Sequence, residues 1–225
     1  VEEKRQELHR KIGDRKNQLK VLLTQKVKDL AVSNGNEDLI SEPEQFIFTY
    51  RGKELIFTSD HGVFSKKMID FGSRVLLDAI ELDEGKSTLL DVGCGYGTFG
   101  VALKSAYPAL EIDMIDVNER ALLLAKQNLA ANNLEANVYL SSVYENVTNK
   151  YDVIVTNPPI RAGKETVTKI LVEAKEHLNL HGEIWVVIQK KQGAPSAKKN
   201  LESVFGNANV VKKDKGYYIL KAINK

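Results

Sequence analysis

Apolar and polar residues alternate along this chain in two rhythms, and the change between them falls near Ser87. From Ser87 onward, short apolar runs of strand length alternate with stretches of helical spacing. Ser87–Val92, Glu111–Val117, Asn137–Leu140, Asp152–Thr156 and Glu183–Gln189 read as strands. Thr98–Ala106, Glu119–Asn132, Lys164–His177 and Pro195–Phe205 read as helices. This repetition predicts an α/β fold: parallel strands need a crossover, and the helices that supply it cover both faces of the sheet. The end of the chain breaks the rhythm. Asn209–Lys213 and Tyr217–Ala222 flank Asp214-Lys215-Gly216, a hairpin, so the last strand should run antiparallel to the others.

Before Ser87 the pattern differs. Leu8, Ile12, Leu19, Leu23, Val27 and Leu30 recur at helical spacing among lysines and arginines, which predicts an amphipathic helix over 1–32, stopped by Ser33-Asn34-Gly35-Asn36. Residues 1–36 then form a helical extension beside a main domain over 45–225. The stripe has three readings: packing on the main domain, pairing with a second copy as a homodimer, or a basic arm for RNA. Residues 37–45 read as a polar linker containing Pro43. Gln45–Thr58 alternates around Arg51-Gly52, which predicts a hairpin of Phe46–Tyr50 and Glu54–Thr58. Ser65–Ile80 carries helical periodicity.

Composition narrows the function classes. The 225 residues are 43% hydrophobic and 28% charged, ordinary for a globular chain. A net charge of +2 permits nucleic acid as a partner without arguing for it. The single cysteine, Cys94, allows no intrachain disulfide and no cysteine metal cage, which points to a reduced, cytoplasmic protein. The four histidines (His9, His61, His177, His181) fall in no metal-ligand spacing, so no metal is expected. No apolar run is long enough to span a bilayer, and no membrane partner is expected.

The chemistry lies in three segments. Leu89–Val92 is a buried strand, followed by Gly93-Cys94-Gly95-Tyr96-Gly97 and then a helix. Alternate glycines let the backbone turn sharply and approach a ligand closely, and the helix start offers free N–H groups. The dinucleotide pattern G-x-G-x-x-G would need glycine at position 98, where Thr98 stands. The pattern here is G-x-G-x-G preceded by Asp91. An acid there suits a ligand bearing an ammonium, as S-adenosylmethionine does, and suits a pyrophosphate poorly. Cys94 lies between two glycines where volume must be small; it counts with the cofactor-binding stretch, not as a nucleophile. Asp116 ends the second strand, where an acid can accept hydrogen bonds from ribose hydroxyls. Its competing role is as cap of the following helix, which Asn118 could fill.

The third segment is Asn157-Pro158-Pro159-Ile160, after the strand Tyr151–Thr156. Ligands of open α/β sheets bind at this carboxyl edge. Two prolines stiffen the turn and remove donors. The Asn157 side chain and the Pro158 carbonyl can then take both hydrogens of a planar amine, whose lone pair is otherwise delocalised. The competing reading is an ordinary turn, or a dinucleotide oxidoreductase or non-catalytic RNA-binding module that keeps the same fold.

LLDVGCGYGTFG, DVNERALLLAKQN and NPPIRAGK, with GVFSKKMIDFGSRVLL upstream and WVVIQKKQGAPS downstream, resemble the class I S-adenosylmethionine-dependent methyltransferases of the small-subunit ribosomal RNA guanine-N2 family. The likeness runs from Phe46 to the end and is closest to short, single-domain members. It implies a Rossmann-like, seven-stranded, mostly parallel sheet with an antiparallel last strand. It implies that Asp91, Gly93, Gly95 and Gly97 wrap the methionine moiety. By the same resemblance Asp116 holds the ribose, Val117 touches the adenine, and Ser142 and Val143 border it. Phe64 would lie near the cofactor. Asn157, Pro158, Pro159 and Ile160 would present the target amine, Asn157 also bordering the cofactor. Relatives acting on adenine or on protein glutamine place an aromatic residue where Ile160 stands. Its absence favours guanine in RNA, with ribosomal RNA or the small subunit as the expected partner, over those alternatives. Arg161, Lys164, Lys190, Lys191, Lys198 and Lys199 read either as phosphate contacts or as solvated surface. Tyr96, Phe99 and Trp185 read as packing residues.

Overall fold

The structure, a computed structural model, describes residues 43–60 and 68–225. The helix expected over 1–36, with the homodimer contact considered for it, and Phe64 lie outside the described residues. The first two strands, β1 (Glu44–Tyr50) and β2 (Lys53–Ser59), form an antiparallel hairpin in which Tyr50 faces Lys53. Arg51 and Gly52 turn it with φ of 46° and 76°. Positive φ at both turn positions gives the twist that matches the flanking strands.

Seven further strands make one sheet: β3 (Thr88–Val92), β4 (Glu111–Asp116), β5 (Asn137–Leu140), β6 (Tyr151–Thr156), β7 (Leu178–Gln189), β8 (Asn209–Asp214) and β9 (Tyr217–Ile223). Their order is β5-β4-β3-β6-β7-β9-β8. β3 to β7 pair in parallel, and β9 slots antiparallel between β7 and β8. The expected seven-stranded sheet with an antiparallel last strand is therefore present.

Alternation along the strands feeds two cores. Leu89, Val153, Val155, Trp185 and Val187 enter one cluster with the hairpin and the helices α1 (Phe71–Ala79), α2 (Thr98–Ala106) and α3 (Glu119–Ala131). Leu90, Val92, Ile154, Ile184, Val186 and Ile188 enter the other, under α4 (Lys164–Glu173) and α5 (Ala194–Phe205). Tyr96, Phe99 and Trp185 are core residues, as expected.

Three boundaries differ from the sequence reading. Among the described residues, the helical periodicity from Ser65 becomes helix only at Phe71, because Asp70 Oδ1 accepts the Ser73 N–H (3.0 Å) and caps α1 there. The run Lys164–His177 divides into α4 and a 3-10 turn, Ala174–His177, that feeds straight into β7. β7 itself begins at Leu178, before the apolar run that marks it in the sequence.

The hairpin is held to the domain by side chains acting as a strand. Asn128 Oδ1 accepts the Thr58 N–H (2.7 Å) and its Nδ2 donates to the Thr58 carbonyl (3.0 Å). Asn132 does the same at Ile56, at 2.8 Å in both directions. Four helical residues rise about 6 Å and two strand residues about 6.6 Å, so one face of α3 matches the free edge of β2. Asn128 Nδ2 also donates to the Tyr96 carbonyl (2.8 Å), which ties the hairpin to the glycine loop.

Candidate functional site

The carboxyl ends of β3, β4, β5 and β6 bring the site together. After β3 the chain turns through Gly93, Gly95 and Gly97, with φ of 69°, 55° and 96°. These values lie in the left-handed region that only glycine occupies without strain. The Gly93 and Cys94 N–H groups both donate to the Ile115 carbonyl (2.9 Å each), and Gly97 opens α2. A Cβ on Gly95 would meet nothing within 4 Å, so this part of the loop faces open space. The Cys94 thiol is buried, and burial raises it well above its ordinary range, with Asp91 and Asp116 adding to the effect. A thiol held protonated in this way is a poor nucleophile.

Asp91 is 0% exposed. Its Oδ2 accepts the Gly100 N–H (3.0 Å), while Oδ1 is buried without a partner. Burial pushes this carboxyl up to about 7; the Gly100 N–H works against that rise and Asp116 adds to it. A buried acceptor that lacks a donor is the feature expected of a site that receives an ammonium. Asp116 ends β4 with Oδ2 accepting the Gly95 N–H and Oδ1 the Asn118 N–H, both at 2.9 Å. Asn118, not Asp116, caps α3, which leaves the remaining lone pairs of the carboxylate for a ligand. Beside it, Val117 is 65% exposed and Leu140, opposite Asp116 on β5, 45%. Both are exposed apolar side chains at the carboxyl edge, the kind of surface against which a flat heterocycle can lie.

Ser142 is exposed and Val143 half-buried on the loop after β5. Val143 has φ of 52°, a strained value for a β-branched residue. Ser141 holds it there: its hydroxyl donates to the Val143 carbonyl (3.2 Å) and accepts the Asn146 N–H (3.1 Å).

The turn after β6 lies beside the glycine loop. A Cβ on Gly93 would come 3.8 Å from Pro159 Cδ, and Thr156 Oγ1 donates to the Val92 carbonyl (2.8 Å). Pro158 is buried and Pro159 exposed. The Pro159 carbonyl is taken by the Ala162 N–H (2.9 Å). Asn157 is clamped: its Nδ2 donates to Ser73 Oγ (3.1 Å) and to Asp70 Oδ1 (3.4 Å). The Asp70 carboxylate can only accept, so the amide of Asn157 must turn its N–H side inward. Its Oδ1 is then left on the other side of the amide, away from Asp70 and Ser73. Asp70 and Ser73 carry no signal in the sequence that marks them as site residues. Among the described residues, no group of three or more histidines, cysteines or carboxylates is arranged to hold a metal ion, and no helix is long and apolar enough to cross a membrane. Arg161 and Lys164 are exposed.

The residues present fit S-adenosylmethionine: an unpartnered buried carboxylate that can accept from the ammonium, an open glycine loop, the Asp116 carboxylate that can accept from a ribose and exposed apolar side chains for the adenine. Concavities of about 340 and 460 Å³ lie elsewhere, beside the hairpin, lined by residues such as Leu55 and Asn132 or Tyr50 and Leu77.

Residues 54–221 match the methyltransferase small domain family. Uncharacterized protein YbxB of Bacillus subtilis is 50% identical over 185 residues, covering 81% of this chain and 92% of that protein. Ribosomal RNA small subunit methyltransferase C of Vibrio cholerae is 34% identical over 183 residues, covering 80% of this chain and 52% of that protein. The chain thus spans about half the length of the relatives that carry that name. Among solved structures, the T. thermophilus 16S rRNA N2 G1207 methyltransferase (RsmC) in complex with AdoMet and guanosine superposes with a TM-score of 0.74 at 27% identity, covering 83% of this chain and 52% of that one. A methyltransferase from Pyrococcus furiosus shares the fold, with a TM-score of 0.61 at 19% identity, covering 91% and 98%.

Proposed function

Since the chain belongs to the methyltransferase small domain family, a class I fold whose cofactor is S-adenosylmethionine, we propose that it methylates the exocyclic N2 amine of guanine in RNA, and that the RNA is ribosomal. The observation that carries this reading is the orientation of Asn157. With Nδ2 committed to Ser73 and Asp70, Asn157 Oδ1 is free to act with the Pro158 carbonyl as the pair of acceptors. An amine N–H₂ that donates to both is held in one plane, its nitrogen made more electron-rich and aimed at the cofactor loop.

The cofactor, when bound, supplies an electrophilic methyl group on a sulfonium that leaves readily. Every other part is this chain's. Asp91 would take the ammonium, Asp116 the ribose hydroxyls, and Val117 with Leu140 the adenine. Ser142 and Val143 would border that base. Pro159 lies close to Gly93, its Cδ 3.8 Å from where a Cβ on that glycine would fall, so the two turns would set the spacing between target and cofactor. The proton that nitrogen gives up starts on its hydrogen bond to Asn157 Oδ1 or the Pro158 carbonyl and leaves to water. Ile160 is half-buried and offers apolar contact without a π face, which supports guanine over the adenine and glutamine alternatives.

The reading is tested by transfer of tritiated methyl from S-adenosylmethionine to naked ribosomal RNA, small subunits and release-factor proteins, with the labelled nucleotide identified after digestion. N2-methylguanosine is the expected product. Label confined to protein, or to adenine, would overturn the substrate assignment while leaving the cofactor site in place.

A further inference from the structure

The acceptor turn explains how one amine is held and leaves open what holds the RNA around it. A patch of cationic and aromatic side chains borders that turn. Phe71 lies between the two residues that clamp Asn157, and its ring packs at 5.7 Å from Tyr217 at the start of β9. Lys215 Nζ stands 4.9 Å from the centre of the Phe71 ring and the Arg74 guanidinium 5.5 Å. Lys213 Nζ lies 4.8 Å from the Tyr218 ring.

Two elements place these groups at the carboxyl edge. β9 pairs antiparallel with β7 so that Tyr217 faces Gln189, the last residue of β7. The β8–β9 turn at Lys215 and Gly216 (φ 43° and 83°) is pinned by the Lys190 N–H donating to the Gly216 carbonyl (2.8 Å). α1 crosses the same edge. A Cβ on Gly72 would fall 2.6 Å from the Tyr217 ring, so Gly72 is what lets the helix come this close.

The charges here are not paired off. Lys213 and Lys215 are exposed, Arg74 has a buried Nε with no acceptor, and among the described residues none of the three takes part in an ion pair. Asp214, half-buried between the two lysines in sequence, is the acid of the turn. Phe71 and Tyr217 are only half-buried.

We propose that Phe71, Arg74, Lys213, Lys215 and Tyr217 form a docking surface for single-stranded RNA flanking the methylated base; the proposal rests on the RNA reading above. Cation–π contacts at exposed sites are weak and easily exchanged. A base can replace Lys215 on the Phe71 ring while the released ammonium meets a phosphate. Rings supply sequence-tolerant stacking and cations track the backbone, the combination by which unpaired strands are gripped. It also supplies, one step from Asn157, the π surface that Ile160 lacks.

The test uses the full chain and a fluorescently labelled 12-nucleotide unstructured RNA containing guanine, with binding read by anisotropy across a salt series. Lys213→Ala/Lys215→Ala should weaken binding about tenfold and lower the slope of log affinity against log salt by about 1.4, near 0.7 for each phosphate left without its lysine. Phe71→Leu should weaken it about fivefold with the salt slope unchanged, since it removes stacking and no charge. Melting temperature and S-adenosylmethionine binding should stay as in the parent. Parent-like affinity and slope in the double lysine variant, or no binding of the RNA by the parent, overturns the proposal. So does equal binding of a polyglutamate peptide with Phe71→Leu silent, which assigns the patch to acidic protein. If the lysine and Phe71 effects appear but the parent labels no RNA, the methylation reading fails and the surface stands.

Discussion

Replacing Asp91 by asparagine isolates the charge on which cofactor capture is argued to depend. In the protein without cofactor, burial holds the Asp91 carboxyl up to about 7, against an ordinary 3.8. An unfolded chain releases this proton near 3.8 and the folded chain only near 7. Between those values the folded state binds the extra proton, so stability is full below about pH 4 and falls as pH rises, by about 4 kcal/mol in all. A ligand ammonium reverses the preference, because it favours the carboxylate. Below pH 7, binding therefore requires proton release, and affinity should rise up to about tenfold per pH unit towards pH 7 and then flatten. The cofactor's own ammonium titrates near pH 8, so the informative window lies below 7. Asp91→Asn keeps the shape and removes the titration. It should lose the stability decline, be more stable than the parent at pH 7.5, and bind S-adenosylmethionine more weakly with no slope between pH 5.5 and 7. Calorimetry in two buffers of different ionisation enthalpy counts the protons, with close to one released by the parent at pH 6. An affinity independent of pH in the parent, or the same slope in Asp91→Asn, would refute the assignment of Asp91 to the ammonium.

Asn157→Ala should lower transfer by about 10² or more while calorimetry finds cofactor affinity nearly unchanged; a parent-like rate would count against the acceptor-turn mechanism. Ser73→Ala removes only the 3.1 Å bond that orients Asn157. It should cut kcat about fivefold, with KM and melting temperature held, because one hydrogen bond is worth about 1 kcal/mol; a changed KM with unchanged kcat would remove Ser73 from this role. Asn128→Ala deletes three bonds at a site 0% exposed, to Thr58 N, Thr58 O and Tyr96 O. Urea denaturation should show a loss of about 3 kcal/mol, and a loss under about 1 kcal/mol would mean the hairpin is held by packing instead. Gly100→Ala sets a Cβ 2.4 Å from Met114 Sδ, whereas Gly85→Ala meets nothing within 4 Å. The first should cost about 1–3 kcal/mol by the same assay and the second almost nothing.

What was legible in the sequence was local. Arg51-Gly52 and Lys215-Gly216 announce hairpins because a positive φ at adjacent positions is a demand made within four residues. The glycine loop and Asn157–Ile160 could be placed on strand ends because the strands before them are short and mostly apolar, broken only by Asp91 in the first and Asp152 in the second. The clamp on Asn157 was not legible. Its partners sit 84 and 87 residues away, and Asp70 and Ser73 carry the ordinary pattern of a helix start. Asn128 and Asn132 carry no mark of their role either, since nothing local says that a strand edge arrives there. The patch around Phe71 escaped for the same reason: Phe71 and Arg74 come from one end of the domain and Lys213, Lys215 and Tyr217 from the other, and they meet only because β9 inserts beside β7. The likeness to a family covered GVFSKKMIDFGSRVLL but attached no role to Asp70 or Ser73 within it.

The position of the histidines bears on how the chemistry can proceed. His177 stacks on Tyr144 at 4.5 Å and His181 lies in the irregular start of β7, both at the amino end of that strand. Asn157 follows the carboxyl end of β6, whose neighbour there is Val186. The length of the sheet therefore separates both described histidines from the acceptor turn. A proton-abstracting base is also not needed before attack, since a planar amine with both hydrogens held by neutral acceptors needs orientation more than deprotonation. The orientation is rigid here because it is shared. Thr156 is bonded to Val92, Pro159 lies beside Gly93, and the Asn157 amide is held by Asp70, the cap of α1, and by Ser73. The Asn157 turn and the glycine loop thus ride on adjacent central strands, β6 and β3, and a shift of one relative to the other would have to break the sheet between them. On the proposed reading, rate then rests on this fixed pairing of turn and loop, and selection among RNA sites on the proposed surface around Phe71 and the β8–β9 turn.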